Sequence, residues 1–172
     1  QGLKIVEREL KHPGPGEVLV KIQASSICFS DHYCTYEGGF PIPWPMSPGH
    51  EGVGLIQAVG EGVDAKAFAT GTQVGLGWNG GYCGQCEFCR RGQFHWCKES
   101  RVTGVTIEGC HQEYVIARAN QLVMIPKEMK LKPSEIAPLL CAGITVFDAR
   151  ECLPCLAFCF CNAHADPPLT LQ

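Results

Sequence analysis

Alternating apolar and polar positions mark the first clear structural element of the chain. Between residues 17 and 24, Val18, Val20 and Ile22 lie on one face, and a second, partly polar set lies on the other. This two-residue period predicts a strand that is half buried in a sheet. The stretch 11–16, rich in glycine and proline, predicts a turn before that strand.

Further apolar segments of strand length follow, bounded by glycine or proline: 52–60, 73–78, 112–117 and 121–125. Short helices are predicted over 30–37, from Pro133 to Cys141, and over 144–152. The first begins with a potential serine or aspartate cap, and the second has proline and an acidic residue in its first turn. The pattern therefore predicts a mainly β protein with short helices.

Composition narrows the class of protein. The chain has 172 residues, of which 45% are hydrophobic and 18% are charged, as in a globular domain. A net charge of −3 gives no basic surface, so we expect no nucleic-acid partner. No apolar run reaches membrane-span length and no signal-peptide pattern is present, which predicts no membrane partner and a cytoplasmic location. Twelve cysteines in that setting indicate metal binding more than disulfides.

Residues 79–100 interrupt the strand pattern with a glycine-rich segment that carries four cysteines: Cys83, Cys86, Cys89 and Cys97. Such a segment has too few apolar residues to form a core, and a zinc ion held by four thiolates would supply the missing stability. A closed set of four ligands predicts a structural site. Two disulfides or an iron–sulfur cluster are the alternatives. The nearby His95 and His111 are predicted to be surface or packing residues.

A second candidate site starts from His50 and Glu51, which open a glycine-rich apolar run. We interpret His50 as one of three ligands to a zinc ion, with Cys28 upstream and Cys141 far downstream. Three protein ligands leave one position open for substrate. The alternative is an ordinary buried histidine and two cysteines that pack as small apolar residues. Spacing along the chain leaves both interpretations open.

Several segments together resemble one known family, the zinc-dependent medium-chain alcohol dehydrogenases. Besides the four cysteines they are PGPGEVLVKI at 13–22, C-x-S-D at 28–31, PGHEG at 48–52, VGEGV at 59–63, EYV at 113–115 and CAGIT at 141–145. The resemblance covers about residues 3–150. It implies a GroES-like, partly open β-barrel as the catalytic domain over residues 1–150, with the structural-zinc lobe at 79–100.

The resemblance also implies roles for individual residues. Catalytic zinc would lie at Cys28, His50 and Cys141, with Glu51 beside the metal as a further ligand or proton carrier. Together with the zinc ion of the four-cysteine lobe, this gives two zinc ions per chain. Ser30 matches the hydroxyl that relays the alcohol proton. Tyr33 stands where the family often has a relay histidine, and His32, one position earlier, is the remaining candidate for that step. The implied substrate is a small alcohol, carbonyl or related compound.

The chain departs from the family after Arg150. A nucleotide-binding domain with a glycine-rich βα turn is expected there, but no suitable G-x-G-x-x-G segment occurs. We therefore expect a truncated dehydrogenase in which an atypical cysteine-rich tail, 151–172, replaces that domain, so that NAD(P) is implied by resemblance alone. Five tail residues could bind a third metal: Cys152, Cys155, Cys159, Cys161 and His164. Alternatively, the phenylalanine and leucine residues between these cysteines would let the tail cover apolar surface or form a homo-oligomer contact.

Three functions remain open from the sequence. The first is a zinc-binding catalytic domain of alcohol dehydrogenase type that polarises an alcohol or carbonyl oxygen but does not transfer hydride alone. The second is a zinc enzyme without redox chemistry, such as a hydrolase, lyase or cyclase. The third is a non-catalytic, zinc-stabilised remnant or fragment of a full-length dehydrogenase. Four aromatic residues suggest an apolar pocket wall: Tyr33, Phe40, Trp44 and Trp78.

Overall fold

The computed structural model describes residues 3–34, 42–43 and 45–151. Its centre is a five-stranded sheet in which all neighbouring strands are antiparallel. The strands are β1 (Glu17–Ser25), β2 (Gly52–Val59), β3 (Gln73–Leu76), β4 (Tyr114–Arg118) and β5 (Val123–Met124). Their order is β4-β1-β2-β3-β5, so β4 and β5 are the two edges and the sheet does not close on itself. The predicted mainly β architecture is confirmed.

The helices are short. Helix α1 spans Ser30–Tyr33 and α2 spans Pro133–Ile136, after which a 3-10 turn runs over Ala137–Leu140 and helical backbone resumes at 142–151. The sequence predicted one continuous helix from Pro133 to Cys141. Pro138 explains the tighter turn, because it has no N–H to donate four residues back. Among the described residues, every helix is too short or too polar to span a lipid bilayer.

The core lies against both faces of the sheet. On one face, Val18 and Val20 of β1 pack with Ile56 of β2 in a fully buried cluster. On the other face, Val53 packs against Ile136 and the rest of a smaller cluster from α2 and the following turn. Leu19, which the alternation placed on the partly polar face, is therefore also buried. The second cluster anchors the segment that leads to Cys141.

Two loop segments clamp each other beside the start of β2. Residues 109–111 donate backbone hydrogen bonds to residues 47–49, with N···O distances of 2.7, 2.8 and 2.9 Å. A Cβ atom on Gly109 would lie 2.4 Å from the carbonyl oxygens of both Pro48 and Gly49. Only glycine allows the two backbones to approach so closely.

The close approach predicts that Gly109→Ala destabilises the protein by about 1–3 kcal/mol, because the added methyl group meets backbone that cannot rotate away. Urea denaturation followed by tryptophan fluorescence measures the change. Gly14→Ala is the matched control, since its Cβ meets only the flexible Glu17 carboxylate, at 3.1 Å. Equal stability of the two variants would show that the clamp is not tightly packed.

Candidate metal centres

The lobe at 79–100 brings its four predicted cysteines together. The sulfur atoms of Cys83, Cys86, Cys89 and Cys97 all lie within 4.8 Å of one another. The Sγ of Cys83 is 3.6 Å from that of Cys97 and 4.0 Å from that of Cys89, and all are free thiols. Four thiolates about 2.3 Å from a zinc ion in a tetrahedron lie roughly 3.8 Å apart, so this donor set fits zinc.

Local backbone geometry favours the thiolate at two cysteines of this lobe, Cys86 and Cys97, whereas burial raises the pKa of the Cys89 thiol to about 12. The backbone N–H groups of Cys89 and Lys98 lower the pKa of the Cys86 thiol to about 6. The N–H of Cys83 lies 3.3 Å from the Cys97 sulfur and holds the pKa of that thiol below its ordinary value. Metal ligation by cysteine requires the deprotonated form, so these contacts prepare the sulfurs for a cation.

The second cluster forms where β1 ends and β2 begins. Ser25 pairs with Gly52 at the last rung of that ladder, so the residues just beyond each strand are neighbours in space. Cys28 follows β1, and His50 with Glu51 precedes β2. Cys141 reaches the same point after the 3-10 turn that is anchored in the core. One ligand-type atom from each of these four residues lies within 4.8 Å of all the others, and the two sulfurs are 3.8 Å apart.

His50 is the most buried member of this cluster, with no exposed surface. Its Nδ1 lies 2.9 Å from Oδ1 of Asp31, and its ring meets the Trp78 ring edge-on, with centroids 4.9 Å apart. Both ring nitrogens are buried without a hydrogen bond, although Nδ1 has the Asp31 carboxylate as its ion-pair neighbour. Burial acts to lower the pKa of His50, but the neighbouring Asp31 and Cys28 outweigh it and raise the pKa. An unpartnered imidazole nitrogen beside two thiols is a donor set that fits a zinc ion.

Glu51 adds an oxygen to the cluster. It is only 2% exposed, and one carboxylate oxygen, Oε2, accepts a short hydrogen bond from the Ser26 hydroxyl. The other oxygen, Oε1, is buried without a partner. A buried carboxylate oxygen with no donor is costly unless a cation or a proton satisfies it. This second orphaned atom supports the same interpretation of the cluster as a cation site.

Ser30 and Cys28 interact directly. Burial acts to raise the pKa of the Cys28 thiol, but the backbone of Ser30 and the neighbouring side chains of His50, Ser30 and Cys141 bring it below its ordinary value. The Ser30 side chain therefore lies at the edge of the cluster. His32, by contrast, is outside the cluster and stacks beside Phe29, with ring centroids 6.0 Å apart.

An open pocket of about 580 Å³ lies against this cluster. Its walls are Leu3, Ile27, Cys28, Phe29, Asp31, His32, Pro48 and His111. Of the predicted aromatic wall, Tyr33 and Trp78 are not among the residues that line this pocket, although the Trp78 ring contacts His50. Phe40 and Trp44 lie outside the described residues. The tail residues proposed as a third metal site, Cys152 to His164, also lie outside the described residues.

Asp31 is the residue of this site whose role the sequence did not reveal. It was predicted only as a possible helix cap, whereas its carboxylate is buried between two imidazoles, those of His50 and His111. Burial acts to raise its pKa, but His111, His50 and the N–H of Cys28 hold that pKa well below the usual range. A carboxylate on the far nitrogen of a ligand histidine is common at zinc sites, and an acidic residue three positions after Cys28 is the signal that could have identified it.

Comparison with known proteins shows which family the chain belongs to. The sequence model for the alcohol dehydrogenase GroES-like domain matches residues 14–127. An alcohol dehydrogenase from Moraxella sp. is 43% identical over 149 residues, covering 86% of this chain and 43% of that protein. An alcohol dehydrogenase from Geobacillus stearothermophilus is 40% identical over 153 residues, covering 88% and 44%. The chain thus spans about two fifths of the length of the curated relatives it matches.

Solved structures show the same fold. The CAD structure from Helicobacter pylori, complexed with NADP(H), has a TM-score of 0.71 at 30% identity and covers 81% of this chain and 42% of its own. The cobalt- and zinc-bound alcohol dehydrogenase from Pyrobaculum aerophilum has a TM-score of 0.69 at 30% identity, with coverage of 80% and 40%. The predicted GroES-like fold with an unclosed sheet is confirmed, and the chain belongs to the alcohol dehydrogenase family, whose GroES-like domain it carries.

Proposed function

We propose that this chain is a zinc-binding catalytic domain of alcohol dehydrogenase type. The observation that carries the proposal is that Nε2 of His50 and Oε1 of Glu51, two of the buried atoms that make no hydrogen bond, lie together beside two free thiols. Cys28, His50 and Cys141 would hold the ion, and Glu51 would be the fourth donor when no substrate is present. A zinc ion bound there supplies Lewis acidity toward an alcohol or carbonyl oxygen.

We divide the chain according to its two metal clusters. Residues 1–150 form the catalytic domain, and the lobe at 79–100 holds a second, structural zinc ion through its four cysteines. Four sulfur ligands fill a tetrahedral shell, whereas the cluster of Cys28, His50 and Cys141 has only three strong donors and one exchangeable carboxylate. We assign catalysis to the second cluster because its carboxylate can be exchanged for a substrate oxygen and because Cys28 lines the pocket of about 580 Å³.

The chain's own residues prepare the site for proton transfer. Asp31 keeps the proton of His50 on Nδ1, so that the lone pair of Nε2 faces the cluster. Ser30, whose hydroxyl lies at Cys28, accepts the proton of a substrate alcohol or returns it to a carbonyl. His32, at the wall of the pocket, carries the proton outward in place of the relay histidine that the family often has.

The role of Ser30 predicts that Ser30→Ala lowers zinc-dependent turnover by about a hundredfold or more while leaving metal content unchanged. Turnover is measured with esters, which need no nicotinamide, and with primary and secondary alcohols plus a nicotinamide, which are expected to give little hydride transfer with this chain alone. Ser100→Ala, at an exposed serine that is the last residue of the lobe, is the control. Equal activity of the Ser30→Ala variant and the control would remove Ser30 from the proton path.

We propose that these 172 residues do not bind a nicotinamide dinucleotide tightly on their own. A dinucleotide needs a site for its adenosine and pyrophosphate, and nicotinamide-end contacts would have to offset the cost of immobilising a long ligand. Calorimetric titration with NAD and NADP is therefore expected to give dissociation constants weaker than micromolar. A tighter constant would show that this chain forms a nucleotide site of its own.

A further inference from the structure

His111 lies in a position that packing alone does not explain. It follows Cys110 in the segment that clamps residues 47–49, and its backbone N–H donates to the Pro48 carbonyl at 2.9 Å. Its ring lies flat against Gly49, where a Cβ atom would be 2.6–2.8 Å from three ring atoms. Gly49 has a φ of +98°, which also favours glycine. Glycine at position 49, directly before His50, therefore leaves the space that the His111 ring occupies.

Both nitrogens of the His111 ring face polar groups. Nδ1 lies 2.9 Å from the Ser25 hydroxyl, at the end of β1. Nε2 is buried without a hydrogen bond, and its neighbour is Oδ2 of Asp31 at 3.7 Å. When Nε2 carries the proton, Nδ1 accepts a hydrogen bond from Ser25 and the N–H dipole is directed at the carboxylate.

Asp31 is thereby held from several sides. Its Oδ1 lies 2.9 Å from Nδ1 of His50, and its Oδ2 accepts the backbone N–H of Cys28 at 2.9 Å and is faced by His111. The carboxylate is 5% exposed, so it cannot be steadied by bulk water. His111 therefore adds one more constraint on the rotation of a buried carboxylate that His50 and the Cys28 N–H already hold.

We propose that His111 is a positioning residue for the open metal site: it steadies Asp31, which in turn holds His50 with Nε2 toward Cys28, Cys141 and Glu51. This inference rests on the proposed function, because it assumes that the cluster binds zinc. His111 is not itself a ligand, since among the described residues it belongs to neither group of metal-type donors. Its effect is carried through Asp31.

Three variants separate positioning from packing. His111→Leu keeps side-chain bulk against Gly49 but removes both ring nitrogens. This variant is expected to weaken zinc binding at the open site by about 10- to 100-fold. His111→Gln keeps an N–H that can face Asp31 and should restore affinity to within a few-fold of the unaltered protein. Ser25→Ala frees the ring without changing its volume and should give a smaller loss of affinity. His95→Leu, at an exposed histidine of the lobe, is the control and should change nothing.

The experiment is a competition titration of the full chain with a zinc chelator, combined with the visible spectrum of the cobalt-loaded protein. The expected result is selective weakening of one of two metals in His111→Leu, a changed cobalt spectrum, and recovery in His111→Gln, while the lobe metal stays bound. Wild-type affinity in His111→Leu and Ser25→Ala, or equal weakening by leucine and glutamine, would overturn the inference alone. Unchanged metal content in Cys28→Ser would instead overturn the proposed function.

Discussion

Replacing Cys97 with serine is expected to release one zinc ion and to unfold the segment 79–100. Within that segment the buried residues are Gly80, Gly81, Cys89 and Cys97, so no apolar core remains once the metal is lost. Structural zinc contributes about 10–16 kcal/mol of apparent binding free energy in small zinc domains, and that energy is folding energy. A serine hydroxyl is a far poorer zinc ligand than a thiolate.

Limited proteolysis with mass spectrometry measures the effect, with cleavage expected between residues 79 and 100 in the Cys97→Ser protein. Cys86→Ser should behave in the same way, because it removes another of the four sulfurs. Cys110→Ala is the matched control, since it removes a fully buried thiol that lies in neither cluster. A protease-resistant Cys97→Ser protein that keeps its metal would contradict a structural zinc site.

Replacing His50 with alanine is expected to empty the open site while the lobe keeps its zinc. The open site would lose its imidazole donor and retain two thiols and a carboxylate. The strands and both hydrophobic clusters do not depend on this ion, so most of the fold should persist. Some stability is still lost, because Asp31 remains buried without one of its two imidazole neighbours.

Zinc analysis and circular dichroism on the purified His50→Ala protein check this expectation. The predicted outcome is one zinc ion fewer per chain, no turnover, and a native β-sheet spectrum. His12→Ala, at an exposed histidine in the first turn, is the control. If His50→Ala and Cys97→Ser had equal effects on stability, the division into a catalytic and a structural site would be wrong.

The sequence predicted the structure best where a feature depends on one short segment alone. The alternation over 17–24 predicted β1, and the four cysteines within 79–100 predicted a cluster that forms with few long-range contacts. The strand ends shifted by a few residues, as in β4 and β5, because pairing with neighbours decides where a strand stops. The break in the helix after Pro133 was missed, although Pro138 was visible.

The cluster at His50 is built from contacts between distant segments, and no local sequence pattern predicts such contacts. Cys28, His50 and Cys141 come from three distant parts of the chain, so spacing left two interpretations open and family resemblance favoured one. Asp31 was predicted only as a possible helix cap and His111 only as a surface or packing residue, because their position beside His50 comes from the register of β1 with β2 and from the clamp of 109–111 on 47–49. A buried carboxylate between two histidines can be recognised only once those segments are placed side by side.

The zinc content of the purified chain and of two variants tests the central claim most directly. Inductively coupled plasma mass spectrometry should find two zinc ions per unaltered chain, one in Cys97→Ser and one in His50→Ala, because the two clusters are separate groups of donors. One ion or none in the unaltered chain, or two ions in His50→Ala, would contradict an open zinc site built on Cys28, His50 and Cys141.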